Sequence, residues 1–421
     1  MSAVAMPAAK LGSLADYADA SRCAGDALCL KIHALEPTLP ISPPFARGVS
    51  NPCIETKDGL SCLPAVHLIS GWHQFDQTAL TWLSHVKQIK LKNSGCFDDW
   101  SDDSGGGKWV AAGGGAPAAD VLITTECRKL LTWYPAFAGR YTVAWGKEYG
   151  PCKERELVNA KKEGVDYYKA KMWPICRPAA MRAHDAAAGT GGPGHEVTPP
   201  FVMRQLYGNR VRAIAAVRHP VDRLETSFWA HQHYPRRYGE TAEGLHKYIE
   251  EQTRAFSDCA DVHGGRRCAY LYELLDPKYS DVFFHCDQII RSLYEPFVQD
   301  WHAALGKQGL LILRVEDLID RMGPARRRLL EFLGLPVATA LLEESGEKTK
   351  SYKRLHAQSL KHAHPRVEPM AQKTRQLAEQ FYAPYNQKLA KLLGDTALTW
   401  PEGSVVVDAD EIARSEKAEV E

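Results

Sequence analysis

The stretch that most constrains this chain is Ala216 to Trp229, AVRHPVDRLETSFW, which directly follows the apolar run from Val211 to Ala215. The apolar run predicts a buried strand, and the proline after it predicts a turn, because proline fixes φ and favours the first position of a helix. Residues Asp222 to Trp229 can then form that helix. The pattern therefore predicts strand, turn and helix, with Arg218 and Ser227 beside the end of the strand.

An arginine and a hydroxyl at this position can hold a phosphate together. The guanidinium fork matches two oxygens of a bound anion, and a serine hydroxyl adds a further donor. The alternative is a solvated Arg-Asp-Arg turn without a ligand, and such turns are common. The stretch alone leaves both interpretations open.

Other segments carry regular apolar patterns. Residues Ala65 to Gly71 predict a strand, Thr78 to Val86 a helix and Leu310 to Leu313 a second core strand. Apolar residues at every fourth position predict helices over 289–301, with a kink or break at Pro296, and over 377–393. Strands separated by helices predict an α/β fold with a parallel sheet, whose site lies at the carboxyl ends of the strands.

The predicted domain covers residues 61–400. An N-terminal extension with frequent prolines covers 1–60, and a polar tail covers 401–421. Glycine-rich insertions are expected near 95–120 and 185–194. The string Gly105 to Lys108 lies in the first insertion and is interpreted as flexible, because it lacks the strand before it and the helix after it that a phosphate loop needs.

The overall charge is nearly balanced. Lysine and arginine number 52 against 51 aspartate and glutamate residues, which gives a formal net charge of +1 at pH 7. This balance disfavours a protein held on nucleic acid by its overall field, so an anion site must be built locally. No apolar run is long enough for a membrane span, and the first residues lack the layout of a signal peptide. The sequence does not indicate an oligomeric state.

Cysteine usage bears on the compartment. Several of the 11 cysteines are close in sequence, namely Cys23 with Cys29, Cys53 with Cys62 and Cys259 with Cys268. The spacings are not CxxC, which disfavours zinc, so no metal is expected. Local disulfides are favoured slightly over buried free thiols. Disulfides would indicate a Golgi or secretory lumen, and the cytoplasm is the alternative because no targeting segment is seen.

The stretch RHPVDRLETS resembles the 3′-phosphate-binding motif of sulfotransferases, which is an arginine, a variable residue and a proline, then an arginine and a serine. His219 stands where that family usually has Asp or Asn. Further on, residues 286–294, Trp301, 311–318 and 331–335 resemble the ordered signature of the carbohydrate branch, which includes heparan sulfate and chondroitin enzymes. The similarity extends from Ala65 to Trp400.

This resemblance implies a P-loop nucleotide-kinase-like central parallel sheet flanked by helices. It also implies the sulfate donor 3′-phosphoadenosine 5′-phosphosulfate (PAPS), with Arg218 and Ser227 on its 3′-phosphate. Lys147 and Glu148, in WGKEY, are similar to a Lys-Glu pair of sugar sulfotransferases, in which the glutamate takes the proton of the acceptor hydroxyl. The alternative is an exposed Lys-Glu pair without a catalytic role.

A basic segment, KTKSYKR at residues 348–354, follows the predicted strand Leu310 to Leu313 in the chain. It resembles the family's loop over the adenine and 3′-phosphate. Its candidate cofactor contacts are Lys350, Lys353 and Arg354, because several cations within a few residues supply a local positive field. A solvated basic face is the alternative interpretation.

The segment LISGWHQFDQTAL resembles the family's phosphosulfate loop but departs from it. The family's lysine position carries Gln74, and Asp76 stands at a glycine position. A neutral amide cannot supply the electrostatic effect of the lysine, although a helix N-terminus still offers backbone N–H groups. The candidate cofactor contacts in this loop are Gly71, Gln77, Thr78 and Ala79.

The leading hypothesis is a PAPS-dependent sulfotransferase that transfers a sulfuryl group to a hydroxyl of a carbohydrate or similar polyol by in-line displacement, with Glu148 as base. The alternative is a catalytically inactive protein of the same fold that binds a glycan or a protein partner, which the substitutions at Gln74 and Asp76 favour. A nucleotide kinase is disfavoured because GxxxxGK[ST] is absent.

Overall fold

The computed structural model describes residues 53–56, 59–62, 65–69, 89–91, 121–124, 143–188, 200, 212–279, 282, 288–337 and 351–414. The described strands are β1 (Cys53–Thr56), β2 (Gly59–Cys62), β3 (Val66–Ile69), β4 (Ile89–Leu91), β5 (Val121–Thr124), β6 (Arg212–Val217) and β7 (Leu310–Arg314). Strands β1 and β2 form an antiparallel hairpin. The other five form one sheet in the order β4-β5-β3-β6-β7.

All strand pairs of the larger sheet are parallel, which confirms the predicted α/β class. The first of its strands in the chain, β3, lies at the centre. The chain runs from β3 to β4 and β5 on one side, and then to β6 and β7 on the other. This order is consistent with the expected nucleotide-kinase-like sheet. The topological switch point, from which the chain adds strands on opposite sides, lies between β3 and β6.

Helices surround this sheet. Among the described residues they are α1 (Val143–Glu163), α2 (Arg177–Ala188), α3 (Pro220–Ala230), α4 (His233–Tyr238), α5 (Ala242–His263), α6 (Gly265–Leu275), α7 (Tyr294–Gly309), α8 (Val315–Asp320), α9 (Met322–Leu333), α10 (Tyr352–Ala363), α11 (Gln372–Leu393) and α12 (Ala409–Arg414). A π-helix, Tyr168–Cys176, connects α1 to α2, and short 3₁₀ turns cover Pro277–Tyr279 and Thr396–Thr399.

Local sequence patterns predicted several of these elements correctly. Strands β3, β6 and β7 lie within or across the predicted apolar runs, and α3 covers the predicted helix after Arg218. The fourfold pattern from Ile289 to Trp301 is interrupted as expected, because α7 begins at Tyr294, just before Pro296. The pattern from Leu377 to Leu393 lies in α11. The helix predicted over 78–86 and the insertion near 95–120 lie outside the described residues. Of the insertion expected near 185–194, only 185–188 are described, and they are helical, since they form the end of α2.

The structure differs from the expected domain limits at both ends. The hairpin of β1 and β2 spans the expected boundary at residue 60, where the sequence shows little periodicity. The segment expected to be a polar tail packs on the domain as far as Arg414, because Val407 and Ile412 are buried and Ser404 bonds to α11. Sparse apolar residues were sufficient to dock this segment.

Two disulfides are present in the described part of the chain. One joins Cys259 of α5 to Cys268 of α6, which confirms the predicted pairing around the turn at Gly264. The other joins Cys152 of α1 to Cys176 of the π-helix, and short-range spacing gave no indication of it. Within the described residues, no helix is both long and apolar enough to cross a bilayer.

Candidate functional site

The candidate site lies at the carboxyl edge of the sheet, between β3 and β6. Ile69, the last residue of β3, pairs with Ala215, and Val217 at the end of β6 pairs with Arg314 of β7. In open parallel sheets, ligands bind at the carboxyl ends of strands where the chain direction switches. Arg218 follows β6 at this point, so the fold brings the predicted arginine to that edge of the sheet.

Arg218 is buried, with 5% of its surface exposed. Its Nε donates to Tyr352 Oη at 2.6 Å, and its Nη2 contacts His356 Nδ1. Its carbonyl accepts a hydrogen bond of 2.8 Å from Tyr294 Oη. Helix α10 therefore supplies two contacts to the guanidinium, while the tyrosine at the start of α7 fixes the backbone.

Asp222 lies in the first turn of α3 and is fully buried. Its Oδ2 accepts from Tyr352 Oη at 3.1 Å, and its Oδ1 accepts from the backbone N–H of Val405 at 3.1 Å. Arg375 Nη1 lies 3.8 Å from the same Oδ1. Burial raises the pKa of Asp222 to about 6, since the charged form loses its hydration.

Glu225 lies one turn further along α3. Its Oε2 lies 3.3 Å from His356 Nε2 and 3.8 Å from Arg375 Nη2, and its Oε1 accepts from the backbone N–H of Met370 at 2.9 Å. Burial by itself raises the pKa of Glu225, but the hydrogen bond with His356 and the charge of Arg375 lower it overall. The carboxylate is thereby kept in its charged form.

His219 closes the turn between β6 and α3. Its ring Nδ1 accepts from the backbone N–H of Val221 at 3.2 Å, so it caps α3 as an Asp or Asn would. The backbone N–H of His219 donates to Glu316 Oε1 at 2.7 Å. Burial lowers the pKa of His219 to about 3, and the charges of Arg375 and Arg218 act in the same direction. His219 is therefore a neutral cap at physiological pH.

Glu316 is the second residue of α8, which directly follows β7. Its pKa is raised because it is buried, and its Oε2 has no hydrogen-bond partner in the described structure. The ring of Trp400 lies 5.8 Å from that of His219, and its Nε1 also lacks an acceptor there. The end of β7 therefore adds a buried carboxyl group, with a raised pKa, beside the neutral histidine.

The hydroxyl groups of α3 divide between two stripes of the helix. Ser227 Oγ donates to the carbonyl of Arg223 at 2.8 Å, and Arg223 itself binds Gln288 and Ser292. Thr226 follows Asp222 by four residues and donates to its carbonyl at 3.0 Å. Since residues four apart share a helix face, Thr226 lies on the side of Asp222, whereas Ser227 lies on the side of Arg223.

The basic segment is described from residue 351 onward. Ser351 caps α10, which packs against α3. Lys353 is half exposed and pairs with Glu411 of α12 at 2.6 Å, and Arg354 is exposed. The structure thus brings the helix of the basic segment to Arg218 through Tyr352 and His356. Lys350 lies outside the described residues.

The remaining predicted residues are described only in part. Lys147 and Glu148 lie in the first two turns of α1, of which the backbone is described. Gly71, Gln74, Gln77, Thr78 and Ala79 lie outside the described residues. No cluster of three or more potential metal ligands occurs among the residues that the structure covers.

Sequence patterns did not identify most residues of the hydrogen-bond network around Arg218. Tyr352 lies within the basic segment, so its position offered a signal. Asp222 and Glu225 lie within the arginine stretch but read there as ordinary charges of a helix. Arg375 and Val405 lie far away in the chain and carry no local signal.

These features define an α/β protein with a nucleotide-kinase-like sheet and a buried cationic group at its switch point. The chain is 26% identical to human carbohydrate sulfotransferase 15 over 207 residues, which is 48% of this chain and 34% of that protein. It is 27% identical to a carbohydrate sulfotransferase 15 of Nototodarus sloanii over 99 residues, or 24% of this chain and 59% of that protein. The chain therefore matches about a third of the length of the human relative.

A sulfotransferase of Alicyclobacillus acidocaldarius is a structural neighbour with a TM-score of 0.35 and 12% sequence identity, over 79% of this chain and 96% of that one. No protein-family model matches the chain. The similarities in sequence confirm the resemblance to carbohydrate sulfotransferases that the motifs carry.

Proposed function

We propose that this protein transfers a sulfuryl group from PAPS to a hydroxyl of a carbohydrate acceptor. The observation that carries the proposal is the position of Arg218, which follows β6 at the switch point of the sheet, beside the end of β3. In the sequence, the predicted phosphosulfate loop directly follows β3. The similarity to carbohydrate sulfotransferases supports the same chemistry.

The donor set around Arg218 fits a phosphate group. Arg218 and Arg375 are buried guanidinium groups, and the Nε and Nη2 of Arg375 have no hydrogen-bond acceptor within the described structure. Burial raises the pKa of Asp222 to about 6 and also raises the pKa of Glu316, whereas Glu225 stays charged 3.8 Å from Arg375. An anion at this edge would therefore find cationic donors in Arg218 and Arg375, with Glu225 as an opposing charge beside Arg375.

Each group of the chain has a defined task in this proposal. Arg218 binds the 3′-phosphate together with a hydroxyl of α3, which is either Ser227 of the arginine stretch or its neighbour Thr226. Lys350, Lys353 and Arg354 contribute positive field from the basic segment. Gly71, Gln77, Thr78 and Ala79 bind the phosphosulfate through the loop after β3. Glu148 accepts the proton of the acceptor hydroxyl, and Lys147 and Gln74 lie beside the reacting group. PAPS, when bound, supplies the activated sulfuryl group.

The disulfides bear on the compartment. Cys152–Cys176 and Cys259–Cys268 are stable only where thiols can be oxidised, so we infer a Golgi or secretory location. A carbohydrate acceptor would be encountered in the same compartment.

Titration of 3′-phosphoadenosine 5′-phosphate, the desulfated product, tests nucleotide binding. We expect the parent to bind and Arg218→Lys to bind about tenfold more weakly, because a lysine cannot reproduce the fork geometry. Arg223→Lys is the matched control: Arg223 is also a buried arginine of the same stretch but has protein acceptors in Gln288 and Ser292. Equal losses in both variants would contradict a special role of Arg218.

Turnover separates the enzyme from the inactive binding protein. Sulfate transfer from labelled PAPS is measured on a panel of desulfated and partially sulfated glycans, for the parent, Glu148→Gln and Gln74→Lys. Transfer that Glu148→Gln reduces by at least about a hundredfold supports the proposed base. Nucleotide binding without transfer to any glycan, restored by Gln74→Lys, would favour the inactive protein.

A further inference from the structure

Two side chains of α10 hold the guanidinium of Arg218. Tyr352 and His356 lie one turn apart on the buried face of the helix, with exposed fractions of 2% and 0%. Tyr352 Oη accepts from Nε, and its ring also lies 5.6 Å from the guanidinium carbon. His356 Nδ1 contacts Nη2. One edge of the arginine fork is therefore fixed by a single helix.

The direction of these hydrogen bonds follows from the chemistry of arginine. A guanidinium can only donate, so Tyr352 Oη and His356 Nδ1 must both accept. The Tyr352 hydroxyl proton is then directed to Asp222 Oδ2, at 3.1 Å. The His356 ring carries its proton on Nε2, which faces Glu225 Oε2 at 3.3 Å. Two chains of hydrogen bonds thus lead from Arg218 to two carboxylates of α3.

Both carboxylates are held in turn by distant backbone. Asp222 accepts from the N–H of Val405, and Glu225 accepts from the N–H of Met370. Arg375 lies 3.8 Å from each of them. The side chains of Arg218, Tyr352 and His356 are buried, as are both carboxylates. Tyr352 and His356 therefore have little freedom to turn away from Arg218, and the guanidinium is oriented before a ligand arrives.

We propose that Tyr352 and His356 are positioning residues, which orient Arg218 for a nucleotide phosphate and couple it to the basic segment at the start of α10. The proposal rests on the proposed function. It assigns a task to two residues that lie outside the arginine stretch and act through Arg218.

Conservative variants separate orientation of Arg218 from general packing. Tyr352→Phe removes the acceptor oxygen and keeps the ring. His356→Asn keeps an acceptor near the position of Nδ1, whereas His356→Gln keeps a polar group near Nε2 and loses the contact to Arg218. Tyr382→Phe is the control, because it removes a buried hydroxyl that donates to the carbonyl of Ile289 at 3.0 Å, away from Arg218.

The first readout requires no ligand. Each variant is treated with phenylglyoxal, and modification of Arg218 and Arg223 is followed by peptide mass spectrometry. We expect Tyr352→Phe and His356→Gln to raise the modification rate of Arg218 about tenfold, with Arg223 unchanged, because each loses a hydrogen bond to a charged donor. His356→Asn and Tyr382→Phe should resemble the parent.

The second readout is the dissociation constant of 3′-phosphoadenosine 5′-phosphate. Weaker binding by about tenfold in Tyr352→Phe and His356→Gln, with recovery in His356→Asn, is the expected result. Tighter binding in these variants would overturn the proposal, since Tyr352 and His356 would then compete with the phosphate for Arg218. Equal increases in modification of Arg218 and Arg223 would overturn it as well.

The two readouts also separate this proposal from the proposed function. A parent that binds no nucleotide, with selective exposure of Arg218 in the two variants, would reject nucleotide binding and retain the orientation of Arg218 by α10. A parent that binds nucleotide, with unchanged Arg218 reactivity and affinity in the variants, would retain the function and reject the positioning role.

Discussion

The backbone N–H of Val405 donates a hydrogen bond of 3.1 Å to Oδ1 of Asp222, which lies 183 positions earlier in the chain. Ser404, the residue before it, accepts a hydrogen bond of 2.7 Å from Arg375. The segment reaches this position through Trp400, whose φ of 48° lies in the left-handed region. A segment that the sequence presents as a polar tail is thereby part of the wall around the candidate site.

Truncation tests the contribution of this segment. A chain that ends at Trp400 leaves Asp222 without a backbone donor and exposes the apolar surface that Val407 and Ile412 bury. We expect its free energy of unfolding to fall by at least about 2 kcal/mol in a denaturant titration. A chain that ends at Arg414 keeps these contacts and should match the parent. Equal stability of both truncated chains would contradict the docking of residues 401–414.

Acid stability tests the neutral cap at His219. The pKa of this histidine falls from 6.5 to about 3 on folding, so the unfolded chain binds the proton more readily, and stability decreases as the pH falls from 6.5 towards 3. His219→Asn keeps the cap and removes the titration. We expect the variant to lose less stability on acidification than the parent, by up to about 1.4 kcal/mol per pH unit. Parallel pH profiles in urea titrations would contradict a buried neutral His219.

Two neighbouring hydroxyls test which stripe of α3 faces the nucleotide. Thr226 and Ser227 are both buried, and each donates to the carbonyl four residues earlier. We expect Thr226→Val to weaken binding of 3′-phosphoadenosine 5′-phosphate about tenfold and Ser227→Ala to leave it unchanged, because Thr226 shares the face of Asp222. The opposite ranking in calorimetry would favour the serine of the arginine stretch as the phosphate contact.

The hairpin at the start of the described chain predicts a further disulfide. Cys53 of β1 is paired directly with Cys62 of β2. Residues opposite each other in antiparallel strands have Cα atoms about 4.5–5.5 Å apart, within the range of a disulfide. We expect mass spectrometry of unreduced peptides to link Cys53 with Cys62. Alkylation of both thiols in the native protein, with Cys259 and Cys268 protected, would contradict this pairing.

Local patterns predicted the elements that carry their own signal. Strand β7 is a continuous apolar run, and the break before α7 follows from Pro296, so both could be read without tertiary information. Arg218 could be placed at a strand end for the same reason. The contacts around Arg218 could not be predicted in this way, because Arg375 and Val405 meet Asp222 only after the chain has folded. The disulfide between Cys152 and Cys176 depends likewise on the packing of α1 against the π-helix.

The bond between Asp222 and Val405 has a consequence for how the chain is made. Ribosomes add about 5–20 residues per second, so the 183 residues between these partners take roughly ten to forty seconds to synthesise. During this interval β6 and α3 exist without the segment that completes their surroundings. During synthesis the carboxylate of Asp222, which is buried in the folded protein, therefore lacks its backbone donor, and the arginine turn reaches its final form only after Val405 has emerged.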